Sequence, residues 1–321
     1  MLHLAAYCKK MILETVKKLY PMKIAQLFAF LFFSSLVWGQ SNSTTTKITL
    51  DHNLIYIPIQ INGSRTLNFL FDTGAEVTVL DKKVANEIQL EVTGKSRIGT
   101  AGKTIDATTS SLNKLTVGDF SLDSQSIEIL SIQHLSDHLN IQIDGVIGYD
   151  LLKKYVITTN LDQLNFILQD PNAFMPGDQG LKFEKVDLAH HHFGLPLKIK
   201  FHKHSQPVTL VFKYDTGFPD HLSFHNSTVE KYQLLKKGKL KERKGFGADN
   251  TLTTNLRSKI HEVSLGSASC KNIKVIYEVD PISVAPTKNA IEAGLVGQEI
   301  LNQFNITYNY PGGMVYMVPR K

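Results

Sequence analysis

Asp72 and Asp215 each follow a short, mainly apolar run, and each begins the tripeptide Asp-Thr-Gly. Apolar runs of this kind are typical of β-strands, and Thr-Gly is typical of a tight turn. Two carboxyl groups brought together by such turns would share one proton, because two close negative charges are unfavourable. The protonated carboxyl could polarise a carbonyl while the ionised one takes a proton from an attacking water. The pair therefore predicts amide hydrolysis, whereas one Asp-Thr-Gly alone would be an ordinary turn sequence.

The residues that follow the two aspartates fit supporting roles. Thr73 and Thr216 carry hydroxyls that could hold the two turns together. Gly74 and Gly217 allow the backbone to turn tightly and to approach the carboxyl pair. The two aspartates are therefore the predicted catalytic residues, and their acid and base roles belong to the coupled pair.

The sequence around the aspartates is repeated as well. Residues 146–155 parallel residues 295–304, and a proline interrupts an alternating strand pattern in each half, at Pro58 and Pro196. Proline in such a pattern predicts an edge strand. The repeat has a period of about 145 residues, far longer than a solenoid repeat. We therefore predict an all-β chain of two similar lobes.

Turn and cap residues predict where the elements begin and where the lobes divide. Asp81 is placed to cap a helix over residues 82–88, and Asn226 or Ser227 to cap one over residues 228–232. Residues 170–180 are rich in Pro, Gly, Asp and Asn and form the best linker. The lobes are accordingly placed at residues 40–175 and 176–321.

The motifs resemble those of the retropepsin-like and pepsin-like aspartic proteases, over roughly residues 54–318. The resemblance implies two β-barrel lobes in a pseudo-two-fold arrangement with a cleft between them. It also implies an aspartic endopeptidase that needs no metal or organic cofactor. The substrate would be a peptide or protein, bound in extended form and paired through its backbone with flap strands.

The resemblance further assigns supporting and substrate-binding residues. Supporting roles fall on Thr73, Gly74, Ala75, Thr216, Gly217, Gly148 and Gly297. Hairpin flaps that would bind substrate fall on Gly99, Thr100, Ala101, Gly102, Gly247 and Ala248, and Phe218, a departure from the family, could crowd the site or line a substrate pocket.

Two residues depart from the family pattern. Phe218 stands where a small or hydroxyl residue is usual, and Lys213 precedes Asp215 by two positions. A nearby ammonium would favour two ionised aspartates and oppose a shared proton. Two alternatives therefore stay open: a catalytically inactive bilobed peptide-binding protein, and an enzyme that pairs Asp72 with Asp72 of a second copy. A monomer is the expected state for a chain that supplies both halves.

The N-terminal residues predict export. Residues 1–39 contain lysines, a short apolar run and small residues near Gly39, the pattern of a secretory signal peptide, and Met22 could be the true start. The expected location is periplasmic or extracellular, with membrane contact only if the segment is uncleaved. Residues 40–47 are polar and predict a tail.

Charge and ligand residues favour no further partner. The formal net charge is +6, and part of the excess lies in residues 236–244, which lack interleaved aromatics and are interpreted as a solvated loop rather than a nucleic-acid site. Residues 190–192 are three histidines without convergent ligand spacing, so no metal is predicted. Cys270 would have no disulfide partner once Cys8 is removed with the N-terminus.

Overall fold

Runs rich in β-branched and aromatic residues, broken by short turns, form most of this protein. The computed structural model describes residues 42–99, 104–188, 191–236, 238–246, 250–279 and 291–321. Residues 42–321 cluster into one unit by their contacts. The fold is all-β with two lobes, as predicted. The predicted boundary between residues 175 and 176 stays a prediction.

Strands of the described residues are numbered in chain order. The strands of the first half are β1 (Ser43–Lys47), β2 (Thr49–Asp51), β3 (Leu54–Ile61), β4 (Leu67–Phe71), β5 (Val79–Asp81), β6 (Gly94–Gly99), β7 (Thr104–Val117), β8 (Phe120–Leu130), β9 (Gly145–Ile147), β10 (Val156–Asn160) and β11 (Asn165–Gln169). Those of the second half are β12 (Leu181–Glu184), β13 (Val186–Asp187), β14 (Phe193–Lys200), β15 (Val208–Tyr214), β16 (Leu222–Phe224), β17 (Lys241–Phe246), β18 (Leu252–Leu265), β19 (Ala268–Tyr277), β20 (Glu292–Val296), β21 (Phe304–Asn309) and β22 (Met314–Pro319).

Two eight-stranded sheets have the same strand order. The first is β2-β3-β4-β9-β5-β8-β7-β6, and the second is β13-β14-β15-β20-β16-β19-β18-β17. Each also has one extra pairing, β3 with β7 and β14 with β18. We call these sheets, with the helices packed on them, the first and the second lobe. Matching topology at this level agrees with the duplication read from the sequence.

The two prolines lie in inner strands, so the prediction of edge strands was wrong. The reason is local. Strand β3 pairs with β2 only as far as Tyr56 and with β7 only from Gln60, so Pro58 has a neighbour on one side alone, at Asn68. Pro196 occupies the same kind of gap and faces Val211. The missing N–H therefore interrupts no ladder.

A third sheet joins the halves, and the sequence did not predict it. Its order is β1-β11-β10-β21-β22-β12, so three strands of the first half continue into three strands of the second half without a break. The two halves meet where Thr158 faces Thr307, and their hydroxyls are 2.8 Å apart. Strand β1 belongs to this sheet, so the predicted tail over residues 40–47 was wrong in part. Thr44 is buried while its neighbours in the chain are exposed. β-branched threonines suit a half-buried strand of this kind.

Five short α-helices accompany the strands in the described residues. They are α1 (Lys82–Glu87), α2 (Gln133–Leu139), α3 (Tyr149–Leu152), α4 (Asn226–Lys231) and α5 (Gln298–Leu301), with 3-10 turns at Pro171–Ala173 and Leu234–Lys236. Asp81 caps α1 through a bond from Lys83 N, as predicted. The cap of α4 is His225 rather than Asn226 or Ser227, and its side chain makes no capping bond. That side chain is held by two glutamates instead.

The basic run was also interpreted wrongly. Lys241–Phe246 is strand β17, paired along its length with β18, rather than a solvated loop. Apolar alternation in β17 is weak, and its pairing with β18, the next strand along the chain, decides its structure. Among the described residues, no helix combines the length and apolar character that crossing a membrane requires. The predicted signal peptide over residues 1–39 lies outside those residues.

Candidate active site

Each Asp-Thr-Gly turn is fixed by a neighbouring strand. Asp72 N donates to Ile147 O over 2.9 Å, and Asp215 N donates to Val296 O over 3.1 Å. Strands β9 and β20, which provide these carbonyls, run parallel to β4 and β15. Residues 146–148 and 295–297 therefore run beside the two aspartate turns. We call residues 72–75 and 215–218 the first and the second aspartate loop.

The two loops hold each other through their threonines. Thr73 Oγ1 donates to Tyr214 O over 2.9 Å, and Thr216 Oγ1 donates to Phe71 O over 2.8 Å. Each hydroxyl also accepts from the other threonine's backbone: Thr73 N lies 2.9 Å from Thr216 Oγ1, and Thr216 N lies 3.1 Å from Thr73 Oγ1. Both threonines are buried. The two threonine hydroxyls and the two threonine N–H groups are therefore all hydrogen-bonded only when the two loops meet.

Glycine lets the carboxyl groups lie close to the opposite loop. A β-carbon on Gly217 would fall 2.5 Å from Asp72 Cγ, a contact that no real side chain makes. A β-carbon on Gly74 would lie 3.0 Å from Asp215 Oδ2 and 3.0 Å from Asp72 Oδ1. The two carboxyl oxygens are therefore at most twice that distance apart. The structure brings Asp72 and Asp215 together at the junction of the lobes.

Backbone N–H groups within the loops orient the same carboxyl groups. Gly74 N donates to Asp72 Oδ1 over 2.7 Å, and Gly217 N donates to Asp215 Oδ1 over 3.0 Å. Such bonds stabilise the ionised form of a carboxyl group. Each aspartate is thus oriented through its Oδ1 by the backbone of its own loop.

Two further glycines seat the loops from below. A β-carbon on Gly148 would lie 1.9 Å from Asp72 O, and one on Gly297 would lie 2.3 Å from Asp220 O. A side chain at either position would push an aspartate loop away from its neighbouring strand. The supporting role predicted for these glycines agrees with this packing.

Burial and charge act in opposite directions on the carboxyl pair. Desolvation by the surrounding protein, together with the charge of Asp215, raises the pKa of Asp72 from 3.8 to about 7. The ammonium of Lys213 and the bonds from Gly74 and Gly217 act to lower it. The desolvation and like-charge effects prevail, so a proton stays on the pair near neutral pH. As its position in the sequence indicated, the charge of Lys213 acts on the site, but it does not reverse the rise in the pKa of Asp72.

The two residues that follow the glycines differ. Ala75 N donates to Asp72 O over 3.1 Å, and Phe218 N donates to Asp215 O over 3.3 Å, so the backbone turns are alike. A β-carbon on Gly297 would lie 2.5 Å from Phe218 Cδ1, so the Phe218 ring lies against that glycine. The ring is partly exposed. Phe218 packs against its own lobe, and this contact accounts for its tolerance in the loop.

The strands on either side of each predicted flap turn are paired. Gly99 is the last residue of β6 and faces Thr104 of β7, and Phe246 of β17 faces Leu252 of β18. Thr100, Ala101 and Gly102 lie outside the described residues, as do Gly247 and Ala248. The strands that would carry each flap are present.

Two supports of the site were missed by sequence reasoning. His192 is buried, and its Nε2 lies 3.1 Å from Gly74 O. Because a carbonyl only accepts, Nε2 must carry the proton. Tyr308 of the third sheet packs edge-on against Phe71 and Tyr214, the residues before the two aspartates, with ring centroids 5.7 and 5.6 Å apart. Neither contact leaves a local signal, because both join residues more than 90 positions apart.

Comparison with known proteins agrees with the first lobe. Residues 57–151 match the sequence model of the aspartyl protease family. The matched part contains Asp72 and Gly148 and ends before Asp215. No curated protein matches the chain. The match supports an aspartyl-protease-like family and a peptidase for this chain.

Within the described residues, no three His, Cys, Asp or Glu side chains converge as metal ligands would. His191 stacks on Tyr149, with ring centroids 4.9 Å apart, while His192 turns to the first aspartate loop. The histidine run therefore separates into different contacts.

Proposed function

We propose that this chain is an exported aspartic endopeptidase of the retropepsin-like type, with both catalytic aspartates in one chain. The carrying observation is the reciprocal bonding of Thr73 and Thr216. With that bonding in place, the carboxyl groups of Asp72 and Asp215 both lie beside Gly74. This arrangement favours a single-chain site over one that pairs Asp72 with its copy in a dimer.

The proposed reaction uses the proton that the pair retains. The neutral carboxyl donates a hydrogen bond to the carbonyl oxygen of the scissile peptide and increases the positive charge on its carbon. A water held between the two Oδ2 atoms attacks that carbon and gives one proton to the ionised carboxylate. The resulting tetrahedral species breaks its C–N bond as a proton passes to the leaving nitrogen. No metal or organic cofactor enters this scheme.

The pH range of the reaction follows from the pair. Because the pKa of Asp72 is about 7, the shared proton is lost as the pH rises above neutral. At low pH both carboxyl groups become neutral, and no base remains to take a proton from water. We expect a bell-shaped dependence of kcat/KM on pH, with the alkaline limb near pH 7.

A second candidate is a peptide-binding protein without activity. The observation that favours it is the charge of Lys213, which lowers the pKa of Asp72 and opposes proton sharing. The net rise in that pKa supports the peptidase instead.

The test is cleavage of a mixed peptide library between about pH 4 and pH 9. Wild type, Asp72→Asn and Asp215→Asn are compared, and sedimentation gives the oligomeric state. We expect a monomer that cleaves and two variants without cleavage. Loss in Asp72→Asn alone would point to the dimeric site, and peptide binding without any cleavage would point to the inactive binder.

Unfolding provides a readout that does not depend on activity. A carboxyl whose pKa is raised by folding weakens the fold as the pH rises from 3.8 through about 7. Asp72→Asn should therefore raise the unfolding free energy above about pH 8, by up to about 4 kcal/mol at 1.4 kcal/mol per pKa unit. Below about pH 4 the same change should have little effect. An unchanged stability at pH 8 would contradict the coupled pair.

A further inference from the structure

One face of the second lobe carries cations that directly oppose one another across strands. Lys241 of β17 faces Arg257 of β18, and Lys259 of β18 faces Lys274 of β19. Arg243 lies two residues beyond Lys241 and so points to the same side. We call these five residues the basic strip. Like charges directly opposite each other weaken a sheet, so their presence calls for a reason outside the fold.

Protection of a sheet edge does not account for the strip. Strand β17 is the edge of its sheet, and lysines on edge strands commonly prevent pairing between molecules. However, Arg257 pairs with Lys241 of β17 on one side and with Ile276 of β19 on the other, so it lies inside the sheet. A cation at such a position cannot protect an edge.

The corresponding strands of the first lobe lack this charge. Strands β6, β7 and β8 carry three basic and three acidic residues, whereas β17, β18 and β19 carry seven basic and two acidic ones. Gly94 faces Thr109 where Lys241 faces Arg257, and Ser96 occupies the place of Arg243. Since the sheets are otherwise alike, the basic strip belongs to the second lobe alone.

The strip contacts the chain just after the second aspartate loop. Asp220, five residues after Asp215, lies 2.5 Å from Arg243 Nη2 and 3.5 Å from Arg257 Nη2. One carboxylate thus meets two guanidinium groups and leaves them with net positive charge. Within the described residues, Lys241, Lys259 and Lys274 have no ion pair, and all three are exposed. The charge of these three lysines is therefore not compensated by an ion pair.

We infer that the basic strip binds acidic side chains of the peptide substrate, on the part of the substrate that lies along the second lobe. This inference rests on the proposed peptidase function. Successive cations on one strand are about 7 Å apart, which matches alternate side chains of an extended peptide. A single-stranded nucleic acid would also be attracted, but the strip contains no aromatic residue on which bases could stack.

The first experiment compares matched peptides that carry Glu or Gln at positions flanking one cleaved bond. The variant Lys241→Glu, Lys259→Glu, Lys274→Glu leaves both arginines on Asp220 and should keep the fold. The control variant makes the same charge change at three exposed lysines outside the strip: Lys82→Glu, Lys182→Glu, Lys203→Glu. We expect wild type and the control to prefer the Glu peptide about tenfold in kcat/KM, and the strip variant to lose that preference. The preference should also fall with added salt.

A binding measurement separates failure of this inference from failure of the proposed function. Fluorescence anisotropy of a labelled Glu-rich decapeptide is followed with Asp215→Asn, alone and combined with each triple variant. Weaker binding in the strip variant alone supports the strip, even where wild type cleaves nothing and the peptidase proposal fails. Equal cleavage or binding of Glu and Gln peptides would overturn the inference. Tighter binding of a single-stranded oligonucleotide of equal charge would overturn it in favour of a nucleic acid.

Discussion

The two lobes share their aspartate loops but differ in what lies behind them. In the first lobe, Leu70 pairs with Val146 and lies in a small apolar cluster that Leu135 of α2 covers. In the second lobe, Lys213 takes the place of Leu70 and pairs with Leu295. The position two residues before the aspartate is therefore apolar in one lobe and charged in the other.

The same change extends across the neighbouring strands. Val79 and Leu130 belong to the apolar surroundings of the first lobe, and Ser223 and Glu278 hold the matching places in the second. Ser223 Oγ donates to Glu278 Oε1 over 2.6 Å. His225 bridges Glu278 and Glu292, with nitrogen–oxygen distances of 2.7 and 2.9 Å.

The comparison shows which parts of a duplicated fold are constrained by the site. The threonine bonds require both loops to keep one geometry, so neither loop can change alone. The surface behind each loop contacts only its own lobe, so apolar packing can be replaced there by a satisfied polar network. The two aspartates consequently have similar backbones but different electrostatic surroundings.

Exchanging Leu70 and Lys213, the residues behind the two loops, should change the unfolding free energy most. Leu70→Lys would place an unpaired ammonium in the apolar cluster, where Leu70 is only 5% exposed. We expect a loss of about 4 kcal/mol in unfolding free energy, measured by denaturant titration. The reverse change, Lys213→Leu, should alter stability by less than about 1 kcal/mol.

Lys213→Leu should act on the pH profile instead. The ammonium lowers the pKa of Asp72, so its removal should move the alkaline limb of kcat/KM to higher pH. Lys213→Arg is the matched control and should leave the limb in place. Equal stability losses for both exchanges would mean that the lobes are not different behind their loops.

Loss of the threonine bonds should have the next largest effect on stability, and the loss should be equal in the two lobes. Thr73→Val leaves Tyr214 O and Thr216 N without partners, and Thr216→Val does the same to Phe71 O and Thr73 N. Each should cost about 2–4 kcal/mol and reduce kcat strongly, because buried unsatisfied groups are expensive.

Thr158→Val is a suitable control for both. Thr158 also meets a threonine of the other half, Thr307, but in the third sheet and partly exposed. It should cost about 1 kcal/mol at most and leave kcat unchanged. A clear inequality between Thr73→Val and Thr216→Val would show that one lobe dominates the junction.

Much of the site could be predicted because its signals are local. Asp-Thr-Gly after an apolar run specifies a strand and a turn, and its duplication specifies a partner. The cap at Asp81 was equally local and is confirmed. The helix cap at His225 was not predicted, because its imidazole is drawn to glutamates 53 and 67 residues away.

The third sheet and strand β17 could not be predicted, each for its own reason. Pairing of β10 with β21 joins residues about 150 positions apart, and no turn between them sets the register. In β17, lysines and a glycine gave no apolar alternation, and its partner β18 supplied the structure. Sequence patterns predict faces and turns, while pairing between distant strands is decided by the whole fold.

The polar cluster of the second lobe should make stability depend on pH. Burial lowers the pKa of His225. Hydrogen bonds to Glu278 and Glu292 and the charges of these glutamates raise it by more, so that the pKa is about 9. A histidine with a raised pKa stabilises the fold fully below its ordinary value of 6.5 and loses that effect as the pH rises through about 9.

His225→Gln should therefore lower the unfolding free energy by about 2–3 kcal/mol near pH 6 and by much less above pH 9.5. Thermal unfolding across this range measures the effect. His204→Gln, at an exposed turn, should show no such dependence. A constant loss at every pH would mean that His225 acts by packing rather than by charge.

The smallest effect should come from His192, the support that the second lobe lends to the first aspartate loop. Leu54 of β3 precedes Pro58 by four residues, as His192 precedes Pro196, and a leucine cannot donate such a bond. His192→Leu removes the donor to Gly74 O, so Gly74 and the oxygens beside it should be held less firmly. We expect kcat to fall about five- to tenfold with KM little changed, since a bond of this kind is worth about 1 kcal/mol. His192→Gln keeps an N–H at similar reach and should recover most of kcat. If both variants lose activity equally, ring packing rather than the bond supports the loop, and if neither does, the first loop is held by its threonine alone.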